Sequence, residues 1–143
     1  MLISGSCHCK NIEFTFSWDP EPLEIPARAC TCSFCTKHNA IWTSYPAGQL
    51  RLTIREQKLL HRYSFETGTA QFHICSQCGV VPIVISQING RDYAVVNVNT
   101  FEDVDPALLK YVSTRFTDES EQVRFTRRQQ NWIANVEWVY VNA

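Results

Sequence analysis

Three cysteines crowd into the stretch A-C-T-C-S-F-C-T-K-H-N-A, residues 29–40: Cys30, Cys32 and Cys35. Thiolates at that spacing can converge on one soft metal ion, and zinc is the usual choice. A structural zinc takes four protein ligands, whereas a catalytic one keeps a position free. The other four cysteines form two pairs, Cys7-His8-Cys9 and Cys75-Ser76-Gln77-Cys78, the second followed by Gly79. C-S-Q-C-G has the form of a zinc knuckle, two thiolates across a tight turn with a glycine free to take positive φ. It supplies two ligands of four. Cys7 and Cys9 are the economical partners, because both pairs flank expected strands that can lie side by side in one sheet. Four thiolates would close a structural site, and its binding energy would be folding energy.

By subtraction, Cys30, Cys32 and Cys35 form a second site. Three readings are open. The thiols could be buried without metal, as free cysteines often are. His38, three residues past Cys35, could close the site as a fourth ligand. Or the fourth position is open to water or substrate, and this is the reading adopted here. His8, His61 and His73 read as ordinary hydrogen-bonded or exposed histidines. Three thiolates would outweigh the charge of one zinc ion. Such a site acidifies water less than a zinc held by neutral imidazoles and suits a soft fourth ligand. A thiol bound there loses its proton. The corresponding chemistry is the making or breaking of a carbon–sulfur bond.

The rest of the chain sets the frame. Its 143 residues suit one domain, 1–143, and a hydrophobic share of 45% is enough for a true core. A net charge of −1 gives no general attraction to nucleic acid or to an anionic membrane. No apolar run approaches the ~20 residues that span a bilayer. The N-terminus lacks the basic-then-apolar plan of a secretory signal. The cysteine count, seven, is odd, which argues against a disulfide framework. The expectation is a soluble cytosolic protein with free thiols.

Alternation dominates the patterning. Ile12, Phe14, Phe16 and Trp18 share one face; so do Leu50, Leu52 and Ile54, then Leu59, His61, Tyr63 and Phe65, then Val136, Trp138 and Tyr140. Residues 41–46 read as a short strand. The proline-rich stretch from Asp19 to Pro26 reads as an extended loop. V-V-P-I-V-I, 80–85, is a buried strand that Pro82 should place near an edge or bulge. Glu66–Thr69 and Asn89-Gly90 read as hairpin turns. Asp105-Pro106 opens a short helix over 105–112, with Asp105 as cap. Residues 119–132 form a second candidate helix. The fold class is all-β, mainly antiparallel, with one or two short helices.

C-H-C, C-T-C-S-F-C-T-K and C-S-Q-C-G, in this order and spacing, together with N-V-N-T-F-E-D at 97–103, resemble the glutathione-dependent formaldehyde-activating enzyme family, a group that includes the centromere protein V domain. The resemblance runs from Gly5 to about Asp105. It implies a zinc-stapled, tent-like β fold with two zinc ions per chain: a structural one on Cys7, Cys9, Cys75 and Cys78, and a second on Cys30, Cys32 and Cys35. It implies a carbon–sulfur lyase or synthase that joins formaldehyde to glutathione, giving S-hydroxymethylglutathione. No motif identifies the proton donor. Glutathione carries two carboxylates, and Lys37 and Arg28 are the nearest cations in sequence. Where the family commonly has glycine after C-H-C, this chain has Lys10; Thr31 replaces an asparagine, and His38-Asn39 stands near another common glycine. The alternative is a non-catalytic interaction module of the centromere protein V type. For that, only Arg127 and Arg128 beside Trp132 offer positive charge, and they read as a solvated face.

Overall fold

Period-two patterning becomes strands wherever one face can be buried. A computed structural model describes residues 1–116 and 118–142. In chain order its elements are β1 (Leu2–Ser6), β2 (Ile12–Ser17), β3 (Ile25–Cys30), helix α1 (Ser33–His38), β4 (Ile41–Thr43), β5 (Gln49–Glu56), β6 (Leu60–Tyr63), β7 (Gln71–Cys75), β8 (Ile83–Ile88), β9 (Arg91–Asn97), β10 (Leu109–Thr114), helix α2 (Glu121–Asn131) and β11 (Asn135–Asn142). They form two sheets. One has the order β1-β2-β5-β11, and the other has the order β10-β3-β4-β9-β8-β7-β6. Most pairs are antiparallel, but β10 runs parallel to β3, and β11 parallel to β5.

The main core lies between the sheets. Phe14, Phe16, Leu50 and Leu52 from the smaller sheet meet Ile25, Ile83, Ile85 and Val96 from the larger. The other face of the larger sheet is also covered. Trp42, Phe72, Val84 and Val95 pack there with Cys35 of α1 and with Trp132, just past α2. A strand buried on both faces reads as a continuous apolar run, which is why 83–85 shows no alternation. Gly5 belongs to the first core for a steric reason. It pairs with Phe14 across β1 and β2, and the Phe14 ring occupies the space a side chain at residue 5 would need.

Several expectations change. The loop expected from Asp19 to Pro26 ends sooner: Ile25 and Pro26 already belong to β3, with Pro26 opposite Lys110. Pro82 precedes β8, and β8 is an interior strand between β9 and β7, not an edge. The helix expected over 105–112 is one tight turn, Pro106–Leu108, capped by Asp105, after which the chain extends into β10. The Asn89-Gly90 turn stands as read, with φ of 53° and 77°, the positive pair that a two-residue hairpin prefers. Helix α2 falls inside 119–132, with Ser120 as N-cap. The strands that carry the two cysteine pairs lie in different sheets, so those pairs meet across the two sheets rather than within one.

Each of the two cysteine-pair loops contains a residue in the left-handed region. In one, Gly79 has φ of 82° and its N–H donates to the Cys75 carbonyl at 2.7 Å. In the other, Lys10 has φ of 67° and its N–H donates to the Cys7 carbonyl at 3.1 Å. A lysine in the left-handed region carries a steric penalty that glycine avoids. Lys10→Gly is expected to raise stability by about 1 kcal/mol. An unchanged or lower midpoint in denaturant unfolding would show that Lys10 has compensating contacts.

Candidate metal centre

The seven cysteines, all free, collect into two groups, and within each group the ligand atoms lie within 4.8 Å of one another. The first is Cys7, Cys9, Cys75 and Cys78. Cys7 and Cys75 are buried, next to Ile12, Ile54 and Leu60. The Cys9 sulfur is 3.8 Å from that of Cys7 and 3.4 Å from that of Cys75. Tetrahedral bonds of about 2.3 Å would place sulfurs about 3.8 Å apart, so the crowding suits a zinc-sized ion. The Ile12 N–H donates to the Cys7 sulfur at 3.3 Å. Burial, with further contributions from Cys75 and Cys78, pushes the Cys7 thiol up to about 12. Buried thiols resist ionisation unless a cation takes up the charge, and this group is built to receive one.

The second group is Cys30, Cys32 and Cys35. Cys30 ends β3, and the next residue, Thr31, donates its N–H to the Thr114 carbonyl at the end of β10, at 3.0 Å. Cys32 is the N-cap of α1, its sulfur accepting from the Cys35 N–H at 3.4 Å. Trp42 Nε1–H donates to the Cys35 sulfur, also at 3.4 Å. The helix ends at Asn39, which is left-handed with φ of 52°. A hydrogen bond with Cys35 holds Cys30 down at about 6, against the effect of burial, while the same bond and burial drive the Cys35 thiol up. Arg127 adds to the lowering at Cys30. The trio therefore already favours one thiolate. A divalent ion would fit the donor set of both groups.

Among the described residues no histidine or carboxylate joins the trio. His38, the fourth ligand that spacing offered, instead packs its ring against Phe34 at 4.5 Å. Lys37 is exposed and does not line the adjoining cavity, whereas Arg28 does. That cavity, about 150 Å³, opens beside the trio. Trp42, Phe65, Phe72, Val84, Val95 and Trp132 make its apolar wall.

Arg127 and Arg128, which read in the sequence as a solvated face, turn toward the cavity instead. Arg124, Arg127 and Arg128 line the cavity, and none is a solvated surface charge; Arg128 is only 6% exposed. Glu119 grips Arg127 through three contacts of 3.0–3.1 Å. The Arg127 guanidinium lies over the Phe116 ring at 3.6 Å. Arg128 donates to the Thr69 hydroxyl at 2.9 Å and to the Ser86 hydroxyl at 3.0 Å. Arg28 donates to the Ser44 hydroxyl, which donates onward to the Asn131 carbonyl at the end of α2, both at 2.6 Å. The sequence did hold a signal: positions 124, 127 and 128 recur at helical spacing on one face, and Trp132 extends it.

The family described as glutathione-dependent formaldehyde-activating enzyme matches residues 2–119. The chain belongs to this family. The match spans all seven cysteines and ends just before α2. A crystal structure of a Rhodobacter sphaeroides protein from a structural genomics effort is similar, with a TM-score of 0.57 and 29% identity. The alignment covers 76% of this chain and 99% of that one.

The two groups differ in what they connect. The four-cysteine group joins loops from both sheets, whereas the trio lies between β3 and α1 beside a cavity. Cys75→Ser should lower the melting temperature by 10 °C or more, on the order of 2–5 kcal/mol, the scale at which breaking a buried network acts. Cys32→Ser should leave a cooperative transition within a few degrees of the parent and remove about one metal equivalent. Scanning calorimetry with metal analysis decides; the reverse ranking would exchange the roles of the two groups.

Proposed function

We propose that Cys7, Cys9, Cys75 and Cys78 hold a structural zinc, that Cys30, Cys32 and Cys35 hold a second zinc with an open position, and that the chain is a carbon–sulfur lyase or synthase acting on a glutathione-type thiol adduct. One observation carries this reading: three sulfurs converge beside a cavity, and no fourth histidine, cysteine or carboxylate among the described residues completes the set. Membership of the family supports glutathione and formaldehyde as the reacting classes. When bound there, zinc would hold an incoming thiol as its thiolate at neutral pH.

The protein's own residues account for the rest. Trp42 and the Cys35 N–H donate to the trio's sulfurs and temper their charge. The aromatic wall would limit water around the reacting carbonyl, which slows its competing hydration. In the forward direction the sulfur lone pair forms the C–S bond, the carbonyl π pair moves to oxygen, and that oxygen takes a proton. In reverse, the hydroxyl gives up its proton, the carbonyl re-forms and the C–S pair returns to sulfur. Thr67 and Thr69 bring hydroxyls to the cavity that can relay the proton. Seven free cysteines fit a reducing compartment such as the cytosol.

The interaction-module reading finds less support. The arginines that would serve it turn inward to the cavity, and α2 presents no broad basic face.

Cobalt substitution tests the proposal. Adding glutathione should change the visible bands of the cobalt protein saturably and without metal loss. Cys32→Ser should abolish the change. Formaldehyde should then give S-hydroxymethylglutathione faster than the background reaction, followed by proton NMR. Bands indifferent to thiol would mean a trio closed to exogenous ligands.

A further inference from the structure

A cavity lined by four guanidinium groups needs a counter-charge. Arg28, Arg124, Arg127 and Arg128 line the space beside the trio, with Glu66 as the one carboxylate among the described residues of its lining. Glu119 contacts Arg124 and Arg127 from outside that lining. Three thiolates on a divalent ion would add a single net negative charge, so positive charge remains in excess.

Two buried polar atoms point the same way. Among the described residues Arg128 Nε has no partner, although the residue is more than nine-tenths buried and its NH1 is fully engaged. Thr114 Oγ1 is likewise buried without a partner. Both residues line this one cavity. A buried donor on a charged group left unmatched is costly, and such positions await a ligand oxygen. Burial, with the neighbouring Arg127 and Arg124, lowers Arg128 to about 10, so it remains a cation at neutral pH.

The size of the space narrows the ligand. About 150 Å³ is less than the several hundred Å³ of a cleft that encloses a drug-sized molecule. The arginines of α2 also lie beyond residue 119, where the family match ends.

We propose that Arg127, Arg128 and Arg28, with the Thr114 hydroxyl, form a carboxylate-binding subsite beside the three-cysteine centre, so that the substrate is a thiol with a carboxylate within reach of its sulfur. The thiol half of this inference rests on the open-site reading above; the carboxylate half does not. Trp132, on which Arg128 stacks at 5.0 Å, makes the subsite observable by fluorescence.

The test uses the full chain with 3-mercaptopropionate, its neutral amide, and propionate, which has no sulfur. The cobalt bands report the sulfur, and tryptophan fluorescence of the zinc-loaded protein reports the carboxylate. The acid should bind at least about tenfold more tightly than the amide, as a charge-assisted contact in a buried site predicts. Propionate alone should shift the fluorescence saturably. Arg128→Met should erase both effects. If that variant fails to fold, Thr114→Val should still weaken propionate binding several-fold with an unchanged melting transition. Equal binding of acid and amide, with no response to propionate, overturns the subsite and leaves the open centre standing. A propionate response without any thiol effect on the cobalt bands upholds the subsite and sinks the open centre. Silence in every channel overturns both.

Discussion

Sulfur crowding is the constraint on which the rest of the structure depends. Cys9 and Cys75, 66 residues apart, place their sulfurs 3.4 Å from each other. Thiols that close cannot all ionise unless a cation lies among them. The group therefore acts as a staple only when it is loaded. Its position decides what it holds: one pair comes from the small sheet and the other from the large one, so a single ion would fasten the sheets at one end. The main core between the sheets does the same work by burial of Phe16, Leu52, Ile83 and Val96.

The larger sheet then divides labour by face. The side toward the smaller sheet is scaffold. The other side carries Trp42, Phe72, Val84 and Val95, and these form the cavity wall beside the trio. Each strand residue thus serves either stability or the site according to its parity. Helix α2 and the β10 end close the cavity from the C-terminal part of the chain, and α2 brings three arginines where the sheet brings apolar surface and the single cation Arg28. All seven cysteines lie in the segment the family shares, while α2 and β11 lie past it. Ligand preference can therefore change with the C-terminal segment while the cysteine framework stays in place.

How much was legible follows from how local each signal is. The partition of seven cysteines into four and three could be read from spacing, and the structure assembles those same groups. The Asn89-Gly90 turn and the alternation of β2 and β5 are equally local. Helix α1 was not foreseen, because six residues show no apolar period and its cap is a cysteine. Strand β3 was hidden by Pro26, and β10 by a helix-start signal at Asp105-Pro106. The two strands pair with each other in parallel, and no local pattern announces a partner some 80 residues away. Arg128 failed for a related reason. Arginine is usually solvated, and only the tertiary neighbours Thr69, Ser86 and Trp132 make burial tolerable here.

Two ions in unlike environments, one closed and one open, would give the chain both its staple and its reactive centre. Zinc X-ray absorption on the purified full chain tests this arrangement most directly. Two zinc ions per chain are expected, one with four sulfurs and one with three sulfurs and a light oxygen or nitrogen atom. Adding 3-mercaptopropionate should bring the second ion to four sulfurs and remove the light atom. One zinc per chain, or four sulfurs at each ion before any thiol is added, would contradict that arrangement.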